Sequence, residues 1–133
     1  MAQRIDLDPG WEWAKKFNLT LGIKVGNTIY VSGQGPISPE GQIVGKGDVK
    51  AQSLQTFENI KAILAEGGAT MDDVVKITVF LTDINTYPDF AAARGQAFPN
   101  RRPTSTAVAT PALVLPDMVV EIEAIAELGS GRR

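Results

Sequence analysis

The pattern of apolar residues predicts an α+β domain, a sheet of five or six strands with two helices on one of its faces. Three observations point there. Several short runs alternate apolar and polar residues with a period of two, and two longer runs repeat apolar residues at helical spacing. The runs follow in the order strand, strand, short strand, helix, strand, helix, strand, strand. Two helices cannot sandwich such a sheet from both sides, so the opposite face needs a different cover.

Residues 1–16 form a lead-in with a turn at Pro9-Gly10, followed by Trp11 and Trp13, whose rings are expected to cover apolar surface rather than hold a ligand. Leu19, Leu21, Ile23 and Val25 alternate with polar residues and glycine as in a half-buried strand. Gly26-Asn27 turns the chain into a return strand over Thr28–Gln34, which Gly35 and Pro36 end. A short strand is expected at Gln42–Val44. From the candidate N-cap Asp48, residues Leu54, Phe57, Ile60, Ile63 and Leu64 share one helical face, and Gly67-Gly68 stops the helix.

Val74–Thr82 alternates again, with Val75, Ile77, Val79 and Leu81 on one side and Val74, Lys76, Thr78, Phe80 and Thr82 on the other. Asp83 or Thr86 caps a second helix over Tyr87–Phe98 that buries Tyr87, Phe90, Ala91, Ala97 and Phe98 and stops at Pro99. Strands follow at Ser105–Thr110 and Met118–Glu127, joined by a loop that Pro111 and Pro116 keep out of any ladder. In the last strand Met118, Val120, Ile122, Ala124 and Ala126 face a core. Val119, Glu121, Glu123, Ile125 and Glu127 mix apolar residues with carboxylates, as a face covered by another subunit would.

Composition removes whole classes of chemistry. With 133 residues, 44% of them hydrophobic, the chain fits one domain spanning 1–133, its tail beginning at Gly129. There is no cysteine and no histidine, which excludes disulfides, thiolate nucleophiles, a Ser-His-Asp triad and the usual zinc ligands. A net charge of −2 supplies no field for nucleic acid or an anionic membrane, so neither is expected as a partner. The N-terminal stretch lacks a signal-peptide h-region and no apolar window approaches ~18 residues, so a soluble, cytoplasmic protein is expected.

What remains is carboxylates, hydroxyls, lysine, arginine, tyrosine and backbone groups. Glu121 and Glu123 lie two apart on a strand and point to one side, close enough for their charges to interact. They read either as a proton-handling pair or as solvated charges on an exposed face. Arg101 and Arg102 read as an oxyanion clamp or as loop cations in water; strand parity counted from Ser105 favours Arg101, although it starts about 13 Å away at ~3.3 Å per residue. Arg94, on the second helix, is a further candidate cation. Ser32, Gly33 and Gln34 end a strand where the glycine either admits a ligand or relieves a bulge. Ser105 and Thr106 offer hydroxyls without a base beside them.

Several of these segments resemble the RidA (YjgF-type) family of enamine/imine deaminases. They are Gly26-Asn27-Thr28-Ile29-Tyr30-Val31-Ser32-Gly33-Gln34, Asp73-Val74-Val75-Lys76 with Asp83-Ile84-Asn85, Pro103-Thr104-Ser105-Thr106-Ala107-Val108, Leu115-Pro116 and Val120-Glu121-Ile122-Glu123-Ala124-Ile125-Ala126. The similarity runs from Leu19 to Leu128. It implies a chorismate-mutase-like mixed sheet, a homotrimer with ligand clefts between subunits, and hydrolysis of a small enamine, imine or related reactive metabolite with neither cofactor nor metal. It implies Glu121 as the residue that handles water, with Ser32, Gly33, Ser105, Thr106, Leu19 and Arg101 as substrate-side candidates. Two positions depart from the pattern: Ser105 stands where deaminating members carry the arginine that holds the substrate carboxylate, and Leu19 where members carry a tyrosine. Inefficient turnover of 2-iminopropionate is therefore expected. The alternative is a trimer of the same fold that binds a small molecule without converting it.

Overall fold

The computed structural model describes residues 3–132; Met1, Ala2 and Arg133, at the outer ends of the lead-in and the tail, lie outside the described residues. Strands β1 (Arg4–Leu7), β2 (Gly22–Val25), β3 (Thr28–Gln34), β4 (Val74–Leu81), β5 (Thr104–Ala109) and β6 (Val120–Glu127) form one six-stranded sheet in the order β1-β2-β3-β6-β4-β5. Only β4 and β5 run parallel, and α2 (Tyr87–Ala97) makes the crossover between them. Helix α1 (Val49–Glu66) packs on β3 and β6 and against α2. The two helices therefore cover one face, and the chain is the α+β domain its sequence predicts.

The core lies between that face and the helices. Ile29, Ile77, Val79, Val120 and Ile122 from the sheet meet Phe57, Ile60, Ile63, Phe90 and Phe98 from the helical layer, all nearly inaccessible to solvent. Asp48 caps α1 by accepting a hydrogen bond from the Ala51 amide at 3.0 Å. The same helix buries a polar stripe, Gln52, Ser53, Thr56 and Asn59, which its apolar periodicity did not announce. Among the described residues no helix is long and apolar enough to cross a membrane.

The sheet departs from expectation in four places. The lead-in supplies β1, an edge strand paired with β2 from Arg4↔Val25 to Leu7↔Gly22. Gln42–Val44 is not a strand; a lone bridge joins Ile37 to Ile43. The alternation expected from Leu19 begins at Gly22, after a left-handed Asn18 (φ 54°), and Ile23 and Val25 point away from the helices. The reason is space: a Cβ at Gly22 would sit 2.5 Å from Cγ2 of Ile63, so α1 comes down where only glycine fits. Finally, a register shift between Val74 and Lys76 buries Val74 and turns Val75 out to solvent at 42% exposure, reversing the sides assigned to those two valines.

The helix-free face carries Ile23, Val25, Tyr30 and Ile125 among Lys76, Thr78, Thr106 and Glu123. Tyr30 is 50% exposed there and Val108 39%, so the face is more apolar than a purely solvated sheet surface requires.

Candidate functional site

The carboxylate at the centre of the site is placed by a bulge. Opposite β6, β3 pairs Val31 with Ala124 and then Gln34 with Ile122, so Ser32 and Gly33 together oppose the single residue Glu123. Glu121 lies against the bulge: a Cβ built on Gly33 would overlap its Oε2 and stand 3.0 Å from its Cδ. Of the two roles open to Gly33, relief of crowding is what the geometry displays, and the group it makes room for is this carboxylate.

Glu121 lines a cavity of about 210 Å³ together with Trp13, Phe17, Leu19, Gly33 and Met118. Burial pushes its pKa above the usual 4.5, and the neighbouring charge of Glu123 pushes in the same direction. A carboxyl group so placed holds a proton more readily than a free one and can both give and take it. Two more polar atoms on this cavity wall lack partners. Gln34 is 2% exposed and its Oε1 accepts no hydrogen bond, while its Nε2 donates to the Ser32 carbonyl at 3.2 Å. Trp13 Nε1 is likewise buried without an acceptor. An unmade bond on a buried group costs about 1–3 kcal/mol, so a ligand that supplied an acceptor to Trp13 and a donor to Gln34 would recover that cost.

The walls are pinned from α1. Asn59 Nδ2 donates to the carbonyls of Gly35 (3.0 Å) and Ile37 (2.8 Å), which follow the bulge. Gln52 donates to the Asp117 carbonyl and accepts from the Val119 amide, both at 2.9 Å, and so fixes Met118 between them. Gln52 and Asn59, from the buried polar stripe of α1, thus support this cavity. Trp13 stacks on Trp11 with centroids 5.7 Å apart and meets Phe17 edge to face, so one of the two tryptophans expected to cover apolar surface also supplies a wall of the site. The sequence carried no sign of this, since the lead-in reads as a segment outside the strand pattern.

The remaining candidates lie elsewhere. Ser32 Oγ donates to the Thr20 carbonyl at 2.7 Å and borders a neighbouring cavity on the helix-free face with Tyr30, Lys76, Thr78 and Glu123. Thr106 pairs with Thr78 on that same face. Ser105 pairs with Ile77 and so points to the helix side, where Arg94 Nη1 donates to its Oγ at 2.9 Å. Arg94, Arg102, Tyr87 and Ser105 line a separate cavity there, of about 490 Å³. Arg102 and not Arg101 reaches it, because β5 begins at Thr104 and strand parity does not extend back through Pro103. Within one protomer Glu121 and Ser105 are on opposite faces of the sheet, with β4 between their strands, roughly 10 Å apart laterally at ~4.8 Å per strand.

A six-stranded mixed sheet with two helices on one face is the α+β fold of the RidA (YjgF-type) proteins. The family described as endoribonuclease L-PSP matches residues 14–128. The chain belongs to that family, which includes the RidA- and RutC-type proteins. It is 46% identical over 104 residues to a RutC family protein of Pyrococcus abyssi, covering 78% of this chain and 81% of that one. It is 39% identical over 114 residues to the 2-iminobutanoate/2-iminopropanoate deaminase of Escherichia coli, covering 79% and 83%. A crystal structure of Escherichia coli TdcF with bound serine superposes with a TM-score of 0.76 at 34% identity, covering 82% of this chain and 87% of that one.

Proposed function

We propose that this protein is a cytoplasmic RidA-like hydrolase that converts a small enamine, imine or related reactive metabolite in clefts between the subunits of a homotrimer. The observation that carries the reading is Glu121, with its raised pKa, in a cavity that also presents an unpartnered donor and an unpartnered acceptor. Water held by the Glu121 carboxylate adds to the imine carbon, and a proton passes through the same group to nitrogen. The C–N bond of the resulting carbinolamine then breaks, releasing ammonia and leaving a carbonyl. Nothing is oxidised or reduced, so the reaction needs no redox partner.

Two facts support the assembly. The helix-free face exposes Tyr30, Val25 and Val108, and Glu121 and the Ser105 edge cannot meet inside one protomer. A second copy packed on that face would bring one protomer's carboxylate toward its neighbour's β5. Neither nucleic acid nor a membrane is proposed as a partner; the net charge of −2 provides no polyanion field, whatever the family description says.

Ser105, a neutral residue on β5, favours a second reading, a trimer that binds metabolites without converting them. Competition with semicarbazide for 2-imino acids generated in situ separates the two. The hydrolase reading expects faster release of the 2-oxo acid, with 2-iminopropionate among the poorer substrates. Binding by thermal shift with no acceleration for any imine or enamine would establish the second reading instead.

A further inference from the structure

We propose that Arg94 and Arg102 form the carboxylate anchor of this site, with Ser105 and Tyr87 holding the Arg94 guanidinium in position. The proposal rests on the hydrolase reading for the reaction, but its structural support is separate, in the cavity between α2 and β5.

Arg94 is held there as a binding group would be. Nη1 donates to Ser105 Oγ at 2.9 Å and Nη2 to the Tyr87 hydroxyl at 2.8 Å. Its guanidinium carbon lies 5.4 Å from the Tyr87 ring centroid and 5.3 Å from that of Phe90. Aromatic faces and hydroxyls fix the orientation of the planar fork but do not neutralise it. Among the described residues the ion pairs are Arg4–Asp6, Lys15–Glu12 and Lys46–Asp117, and none involves Arg94 or Arg102. The cavity has no acidic residue on its wall, and Arg102 supplies a second unpaired cation.

A half-buried guanidinium pre-set by neutral partners, with further N–H donors open, matches a planar carboxylate, which accepts two parallel hydrogen bonds from one fork. Ser105 has a definite part in this: a hydroxyl at that position receives Arg94, so the positive charge at the β5 edge comes from the helix and not from the strand. The cavity of about 490 Å³ is within the ~300–1,000 Å³ range of small-molecule pockets.

The test is calorimetric titration of the full-length protein with 2-oxobutanoate, 2-oxohexanoate, inorganic phosphate and neutral butyramide. Arg94→Ala is expected to weaken 2-oxo acid binding about 10- to 100-fold, and Arg94→Lys, which keeps the charge but not the fork, about tenfold. Arg102→Ala removes an exposed side chain in no ion pair, so it leaves the fold intact and decides the matter if Arg94→Ala is unstable; about a threefold to tenfold loss is expected. Butyramide should show no dependence on either arginine. Unchanged 2-oxo acid affinity in both arginine variants, or tighter binding of phosphate than of either acid, would overturn the proposal. Glu121→Gln separates it from the hydrolase reading. Lost turnover in that variant with carboxylate binding indifferent to both arginines leaves the hydrolase and removes the anchor; arginine-dependent binding with no imine turned over in the wild type does the reverse.

Discussion

The carboxylate of Glu121 rests directly over the Cα of Gly33, so closely that a methyl group there would take the place of its Oε2. The bulge of β3 and the acid of β6 are thus one device. Gly33→Ala is expected to displace Glu121, lowering kcat at least about tenfold and stability by about 1–3 kcal/mol, as overpacking does. Steady-state kinetics and thermal unfolding of the same preparation check both. A variant with unchanged kcat would mean that Glu121 is not held by its seat.

Glu121→Gln preserves shape and removes the titration. Turnover should fall by a factor of about 100 or more, consistent with loss of general acid–base catalysis, while the oligomer stays intact. The wild-type pH–rate profile should show an inflection above the usual 4.5 of a glutamate, and the amide variant should lack it. Stability gives an independent readout. Because the folded-state pKa is raised, the native state binds more protons than the unfolded chain between the usual and the raised value. The contribution is fully present below the usual pKa and lost as pH rises through the raised one. Glu121→Gln should abolish that decline.

Asp73 behaves in the opposite sense. Burial alone would raise its pKa, but amide hydrogen bonds from Gly131, Thr70 and Gly129, with the charge of Arg132, hold it below the usual 3.8. The Gly131 and Thr70 amides donate at 2.9 and 3.1 Å, tying the tail to the start of β4. This stabilisation is present above the ordinary carboxylate range and lost as pH falls through the lowered pKa. Asp73→Asn should therefore lower Tm at neutral pH and flatten its loss on acidification below about pH 4.

Asn59→Ala removes both donors to Gly35 and Ile37 and leaves two buried carbonyls unpaired. At about 1–3 kcal/mol for each group left unsatisfied, a destabilisation of several kcal/mol is expected, together with a raised KM because the cavity wall is released. Urea unfolding and Michaelis kinetics check the pair.

How much of this the sequence disclosed depended on whether a local period carried the information. The helix capped by Asp48, the alternation of Val120 to Glu127 and the two-helix layer follow from periodicity, and the family from short motifs. The register shift at Val74–Lys76 does not, because a bulge conserves composition while changing which side a residue faces, and the bulge at Ser32-Gly33 was only one of two roles open to its glycine. Trp13 was hidden as a site residue, and Arg94 was legible as a candidate cation but not as the partner of Ser105. Each reaches its cavity from an element far along the chain, and nothing in the spacing of Arg94 from Ser105 says that a helix will lay its guanidinium on that hydroxyl. Gln52 and Asn59 carry no apolar period, and their part follows only from the loop backbone groups they bind.

If the site is completed only between copies of the chain, the active species must be an oligomer. Light scattering coupled to size exclusion shows this at the protein concentrations used for the activity assay. A mass about three times the 14.2 kDa of one chain is expected, retained in Glu121→Gln. A monodisperse species of 14.2 kDa that still turns over imines would contradict it.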